Sequence, residues 1–357
     1  MNNYLDSPRK IQFELSSTCN LLCLGCVRTD PETFTQSKSF IDRKTYLSKE
    51  TFLKIIQAPE FDSVTHLEFC GTIDDPLMHP EFLELLEIAL TVKQYVINIH
   101  TNASLRNVTF WKNLAEILQQ HRKYQVNFSI DGLEDTNHIY RQNSNWSKIM
   151  ENAQAFIGAG GYAVWQHLIF PWNSHQTEQV KTLSTEMGFK EFHQRIDRSI
   201  ATQLGIDKIR QRQKNKFKRD EPPLTLEDIN HQLEEKNKDT IVCNTREQGM
   251  LFVSYEGKIW PCCFIQNGFL NNDAGHRQIL ASRLYDAYDS NLWNDANIQP
   301  ISNIMNHRFF KEDLVDSWSS TSCGVGVKDK IHRCSEVCAK KQIKDLPIGK
   351  HKISFNY

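Results

Sequence analysis

The sequence lacks the features that would decide its class at once. It has no surplus of charge: 42 Lys and Arg stand against 43 Asp and Glu, a formal net charge of −1. Such a chain meets nucleic acid only through a local patch, so a nucleic-acid partner is not expected. No uninterrupted apolar run approaches the ~18 residues of a membrane span. The first ten residues lack the apolar centre of a secretory signal. There is no repeat of fixed period and no low-complexity tract. The expectation is a cytoplasmic protein with no membrane partner.

What is present is a chain of 357 residues, enough for about two domains at ~150 residues each. Hydrophobic residues make up 39%, with 20 Phe and seven Trp to fill a core. Ten cysteines are too few for a disulfide scaffold of this length, and in a reducing compartment clustered thiols point to metal or redox chemistry. Cys19, Cys23 and Cys26 lie near the start; Cys243, Cys262, Cys263, Cys323, Cys334 and Cys338 lie in the last third; Cys70 stands alone and reads as a small buried residue.

The first two hundred residues alternate strand and helix patterns. Residues 11–15, 64–69, 95–100, 125–130, 163–170 and 189–196 read as strands. Residues 46–57, a stretch from about 80, 107–120, 146–157 and 176–187 read as helices. Ser48 is placed as the N-cap of the first helix. This rhythm implies right-handed βαβ units and a parallel sheet, whose ligand sites lie at the carboxyl ends of the strands. The segments found there are Cys19 to Cys26, Cys70 and Gly71, Thr101 and Asn102, Ser129 to Gly132, and Gln166 and His167. Gln166 and its neighbour His167 cannot both face the same side of the sheet. Residues 208–219 carry seven Lys or Arg and read as a solvated linker. Residues 250–260 read as a hairpin turning at Glu256 and Gly257.

Cys19, Cys23 and Cys26 form a CxxxCxxC motif directly after the first strand. Three thiolates on a short loop can wrap a compact cluster and leave one iron open, since a cubane ordinarily takes four. A dithiol pair, which needs no Cys19, and a zinc site, which usually wants a second ligand pair at closed spacing, are the alternatives. The motif resembles that of the radical S-adenosylmethionine (radical SAM) superfamily. The resemblance implies a partial (β/α)6 TIM-type barrel, an α/β fold, over residues 1–200. Gly25 departs from the family's usual aromatic at that place. Gly71, Thr72, Asp74 and Asp75 stand where the family holds the SAM amino group. Thr101, Asn102, Ser129, Asp131, Arg141 and Gln166 fall where it holds the ribose, the methionine portion or the carboxylate.

The spacing Cys243-x13-Gly257-x4-Cys262, followed by the CxxxC of Cys334 and Cys338, resembles the SPASM or twitch auxiliary-cluster domains found behind some of these barrels. That implies a charged linker over 201–240, a small cysteine-rich domain over 241–357, and one auxiliary 4Fe–4S cluster. Its ligands would be Cys243, Cys262, Cys334 and Cys338, with Cys323 a contender. Cys263, if both neighbours lie on a strand, points away from Cys262. The family implies reductive cleavage of S-adenosylmethionine to a 5′-deoxyadenosyl radical, with an electron donor of flavodoxin or ferredoxin type. The radical then takes hydrogen from a substrate, modifying a peptide or protein, or oxidising or rearranging a small metabolite. The rival is a non-catalytic iron–sulfur or zinc-binding protein, an electron carrier or binding module, on a degenerate barrel.

Overall fold

The computed structural model describes residues 4–5, 7–29, 35–36, 44–196, 240–270, 288, 290, 292–320 and 330–338. The basic run 208–219 and Cys323 lie outside the described residues, as does nearly all of the expected linker.

Six parallel strands form the body of the sheet: β1 (Lys10–Phe13), β3 (His66–Phe69), β4 (Val96–Thr101), β5 (Lys123–Ser129), β7 (Ala163–Ile169) and β8 (Glu191–Ile196), each hydrogen-bonded to the next. Helices α1 (Lys49–Ile56), α2 (Phe82–Val92), α3 (Val108–Leu118), α5 (Trp146–Gly158) and α6 (Thr177–Glu186) connect them. This is the parallel α/β sheet expected from the alternation, in the partial barrel that the resemblance implies, and boundaries differ by a few residues at most. Ser48 caps α1, accepting from the Thr51 amide at 3.1 Å, and Asn107 caps α3 in the same way. Phe13, Phe69 and Phe82 stack from β1 and β3 onto α2, with ring centres 6.0 and 5.4 Å apart. Trp111, Phe128 and Phe156 repeat the arrangement between α3, β5 and α5. Such ring pairs add roughly 0.5–1.5 kcal/mol each beyond the area they bury.

Two small elements carry no apolar period and were not legible in the sequence. They are α4 (Glu134–Tyr140) and a two-stranded ribbon of β2 (Leu22–Cys23) with β6 (Arg141–Gln142). The ribbon pairs Cys23 directly with Arg141.

The hairpin of residues 250–260 does form, as β9 (Met250–Val253) and β10 (Ile259–Trp260), with Gly257 at φ +80° in its turn. β9 lies parallel to β1 on the edge opposite β3, so the hairpin extends the barrel's own sheet. A short helix α7 (Asn244–Glu247) precedes it, and α8 (Cys263–Leu270), α9 (Ile301–Met305), α10 (Leu314–Ser317) and α11 (His332–Cys338) follow. Cys263 therefore opens a helix and does not lie on a strand. Buried residues of both parts, from Ile11 and Phe52 to Leu251, Ile304 and Phe310, form one continuous core. No described helix is long and apolar enough to cross a membrane.

Candidate functional site

A cleft of about 180 Å³ opens at the carboxyl ends of β1, β3, β4 and β5. Cys19, Cys23 and Cys26 line it, together with Gly71, Thr72, Asp74, Asp75, Thr101, Asn102, Ser129 and Arg141. Residues scattered over more than a hundred positions thus share one wall, because each follows a different strand of one parallel sheet.

The cysteine loop is fixed from several sides. The Cys26 amide donates to the Cys23 carbonyl at 3.0 Å, making a tight turn. Asn102 donates to Cys19 Sγ at 3.7 Å and to Asn20 Oδ1 at 2.8 Å, linking the loop to the end of β4. Arg28, almost fully buried, donates through Nη1 to the carbonyls of Ser17 (2.8 Å) and Ile73 (3.0 Å). Burial disfavours the thiolate at all three cysteines. Cys19 is pushed far up, Cys23 is raised to about 11 against some help from Arg141, and Cys26 is also raised. A positive centre among them would restore the thiolates.

The loop after β3 is packed with carboxyl groups. Asp75 accepts from Thr101 Oγ1 (3.0 Å), the Asn102 amide (2.7 Å) and the Leu77 amide (3.0 Å), tying β3's loop to the end of β4. Asp74 Oδ2 accepts from the amides of Leu15 (2.9 Å) and Ser16 (3.0 Å), while its Oδ1 is enclosed without a partner. Burial and the nearby Glu14 hold the Asp74 carboxyl well above its ordinary range. Glu14, wholly buried, accepts from the Thr72 amide (2.7 Å), its hydroxyl (2.8 Å) and the Ile73 amide (3.1 Å). Desolvation nonetheless lifts it to about 7. A Cβ at Gly71 would fall 1.8 Å from Asp74 Oδ1, so glycine is required there.

Arg141 Nε donates to Asp131 Oδ2 at 2.7 Å. Burial works against its charge, but Asp131 and Cys23 outweigh burial and keep it firmly protonated. Asp131 is completely buried, accepts also from the Leu168 amide (2.7 Å), and reaches the cleft only through Arg141. Gln166 does not line the cleft. It donates to Asn127 Oδ1 at 3.0 Å inside the barrel, while His167 is buried on the other face.

Deeper along β3 and β4, Glu68, Cys70 and His100 converge, and their ligand-type atoms lie within 4.8 Å of one another. Burial lowers His100 to about 4 and raises both Glu68 and Cys70. Glu14, Arg28 and this trio were missed in the sequence as site residues. One signal was available: Gln12 and Glu14, Glu68 and Cys70, Asn98 and His100 are polar at alternate positions of strands that a fully covered parallel sheet would make apolar throughout.

At the opposite side of β10, Cys243, Cys262, Cys334 and Cys338 line one pocket with Tyr4, Pro261, Phe264 and Trp318. Tyr4 donates to the Pro261 carbonyl at 2.9 Å, and its hydroxyl lies 3.8 Å from Cys243 Sγ. A hydrogen bond with Cys338 outweighs burial and brings Cys243 down to about 6, while Cys262 is pushed up to about 12 by burial.

No protein-family model matches the chain. A curated protein of Pyrococcus furiosus, the tungsten-containing aldehyde ferredoxin oxidoreductase cofactor-modifying protein, is 26% identical over 107 residues. That stretch covers 30% of this chain and 27% of the relative. Among solved structures, anSMEcpe with bound AdoMet superposes with a TM-score of 0.51 at 15% identity, over 84% of this chain and 81% of that one. SuiB of Streptococcus suis bound to its precursor peptide SuiA gives 0.50 at 13% identity, over 89% and 71%. This chain shares the fold of anSMEcpe and SuiB. Within that fold, the loop of Cys19, Cys23 and Cys26 follows the first strand, and the hairpin β9–β10 extends the sheet at the first strand's free edge.

Proposed function

We propose that the chain is a radical SAM enzyme. The observation that carries this reading is the shared wall: three thiols of one loop face Thr101, Asn102, Ser129 and Arg141 across a cleft at the strand ends. The donor set fits a 4Fe–4S cluster with one open iron, and the enclosed, partnerless Asp74 Oδ1 fits a ligand ammonium beside it. When bound, the cluster supplies the electron that splits a C–S bond of S-adenosylmethionine, and the 5′-deoxyadenosyl radical released takes a hydrogen atom from the substrate. Cys19, Cys23 and Cys26 hold the cluster. Gly71 makes room for the Asp74 carboxyl against the backbone, and Thr72 and Asp74 would receive the ligand's amino end. Asp75 positions Thr101 and Asn102, which with Ser129 are placed for hydroxyl groups. Arg141, aligned by Asp131, is placed for the carboxylate. Gln166 orients groups inside the barrel where the substrate would enter.

Cys243, Cys262, Cys334 and Cys338 are proposed to hold one auxiliary 4Fe–4S cluster of SPASM or twitch kind, with residues 1–200, 201–240 and 241–357 as barrel, linker and auxiliary region. Their gathering on one pocket supports these four; Cys323, the contender, lies outside the described residues. A peptide substrate is favoured by the peptide that SuiB holds on the same fold. A ferredoxin or flavodoxin would serve as electron donor in the cytoplasm.

Anaerobic reconstitution followed by dithionite and S-adenosylmethionine should yield 5′-deoxyadenosine; none, at full iron content, would overturn the reading. Changing Cys19, Cys23 and Cys26 to Ala should leave about four irons per chain, the content of one cubane. Complete loss of iron, or retention of about eight, would contradict one cluster at each site.

A further inference from the structure

Glu68 and Cys70 sit two residues apart at the end of β3, and His100 lies near the end of the neighbouring β4, where Glu68 is in register with Asn98. Side chains two apart on a strand share a face, and here that face is the barrel interior. His100 Nε2 lies 3.7 Å from Glu68 Oε1, and the side chains of both keep 24% exposure. Cys70 Sγ is 4.0 Å from its nearest polar partner, the Gly71 carbonyl, at the limit of a hydrogen bond. Among the described residues this is the set that brings three potential ligand atoms within 4.8 Å. The alternate positions, Leu67, Phe69, Ile97 and Ile99, are wholly buried and apolar, so the trio is confined to the inner face.

We propose that Glu68, Cys70 and His100 bind a single divalent transition-metal cation of the zinc or cobalt kind. A thiolate, an imidazole and a carboxylate together suit a borderline-soft cation, and two anionic ligands balance its charge. Three protein ligands leave a position open. Cys70 and His100 also line the cleft of Cys19, Cys23 and Cys26, so that position faces the same space. It would accept water or a donor atom of the substrate. Gln166 also bonds to His100, so a side chain stands ready to orient the ring. Such an ion would anchor a substrate at a fixed distance from the cleft's thiols. The inference goes beyond the proposed activity and does not depend on it.

The test uses the full chain, reconstituted anaerobically so that iron fills the cluster sites, cleared of loose metal with a chelator and titrated with Co²⁺. One cobalt per chain with a thiolate-to-cobalt charge-transfer band is expected. Cys70→Ser and His100→Gln should each abolish the band, and Glu68→Gln should weaken binding, all with unchanged iron content. X-ray absorption at the cobalt edge of the unaltered chain should show one sulfur with nitrogen and oxygen neighbours. A cobalt shell of several sulfurs, or the same band and stoichiometry in folded Cys70→Ser and His100→Gln chains, would overturn the proposal. Failure of the radical SAM reading shows instead in 5′-deoxyadenosine and iron content, which the cobalt readings do not use.

Discussion

Buried carboxyl groups dominate the site at the scale of single residues, and their environments give them different work. Asp75 is an acceptor for three donors from two loops. Asp75→Ala would strand the Thr101 hydroxyl and the amides of Asn102 and Leu77 in a buried place, at about 1–3 kcal/mol per orphaned group. A loss of at least about 3 kcal/mol is expected in urea unfolding. Glu14 behaves differently. Its carboxyl is raised from 4.5 to about 7 by burial, so the folded state keeps a proton that the unfolded chain releases. Its contribution is full below pH 4.5 and fades as the pH rises to about 7. Glu14→Gln has no such proton to lose. The stability of the unaltered chain relative to this variant should therefore fall from pH 4.5 to 7 and flatten above, which urea midpoints at several pH values would measure.

Elements place these residues, and their boundaries follow local chemistry closely where that chemistry is strong. Ser48 caps α1 as its side chain suggests, Asn107 caps α3 likewise, though it was not foreseen, and Gly257 turns the hairpin at φ +80°. A Cβ at Gly257 would also come within 2.7 Å of Asn297 Nδ2 and 3.1 Å of Thr51 Cγ2. Gly257→Ala should cost about 1–3 kcal/mol from the strained backbone, read as a lowered unfolding midpoint. It should also shift Asn297, which bonds Thr51 Oγ1 at 2.5 Å and the Glu256 carbonyl at 2.7 Å. The β2–β6 ribbon shows the opposite case. Two-residue strands have no period to read, yet this pairing sets Arg141 against Cys23. Arg141 and Asp131 were both candidates through the resemblance, but Asp131 was not legible as the group that aims Arg141.

For the whole molecule, the decisive fact is that β9 completes the edge of β1. Tyr4 reinforces the union: its amide donates to the Phe310 carbonyl at 2.8 Å and its hydroxyl to Pro261. Because the apolar core is continuous across both parts, heat unfolding followed by calorimetry should show one cooperative transition. Two separated transitions would mean that the cysteine-rich region folds on its own. Loading iron should raise the midpoint, since a group bound only by the folded chain stabilises it.

The sequence by itself determined the alternation of strands and helices, the Ser48 cap, the hairpin and the three-cysteine motif, because each is written in contiguous residues with a fixed period or spacing. It also contained the polar stripe along the inner strand faces, visible as alternation in β1, β3 and β4. Only the tertiary structure decided which of those residues meet. Cys23 with Arg141, Glu14 with Thr72, and Glu68 with Cys70 and His100 are brought together by strand register, which depends on packing across the sheet and leaves no mark in the local chain. The four late cysteines, spread over residues 243–338, share a pocket through helix packing, with α11 lying against α8. The hairpin between them is held against β1 by ladder hydrogen bonds and a shared core, which no local pattern specifies.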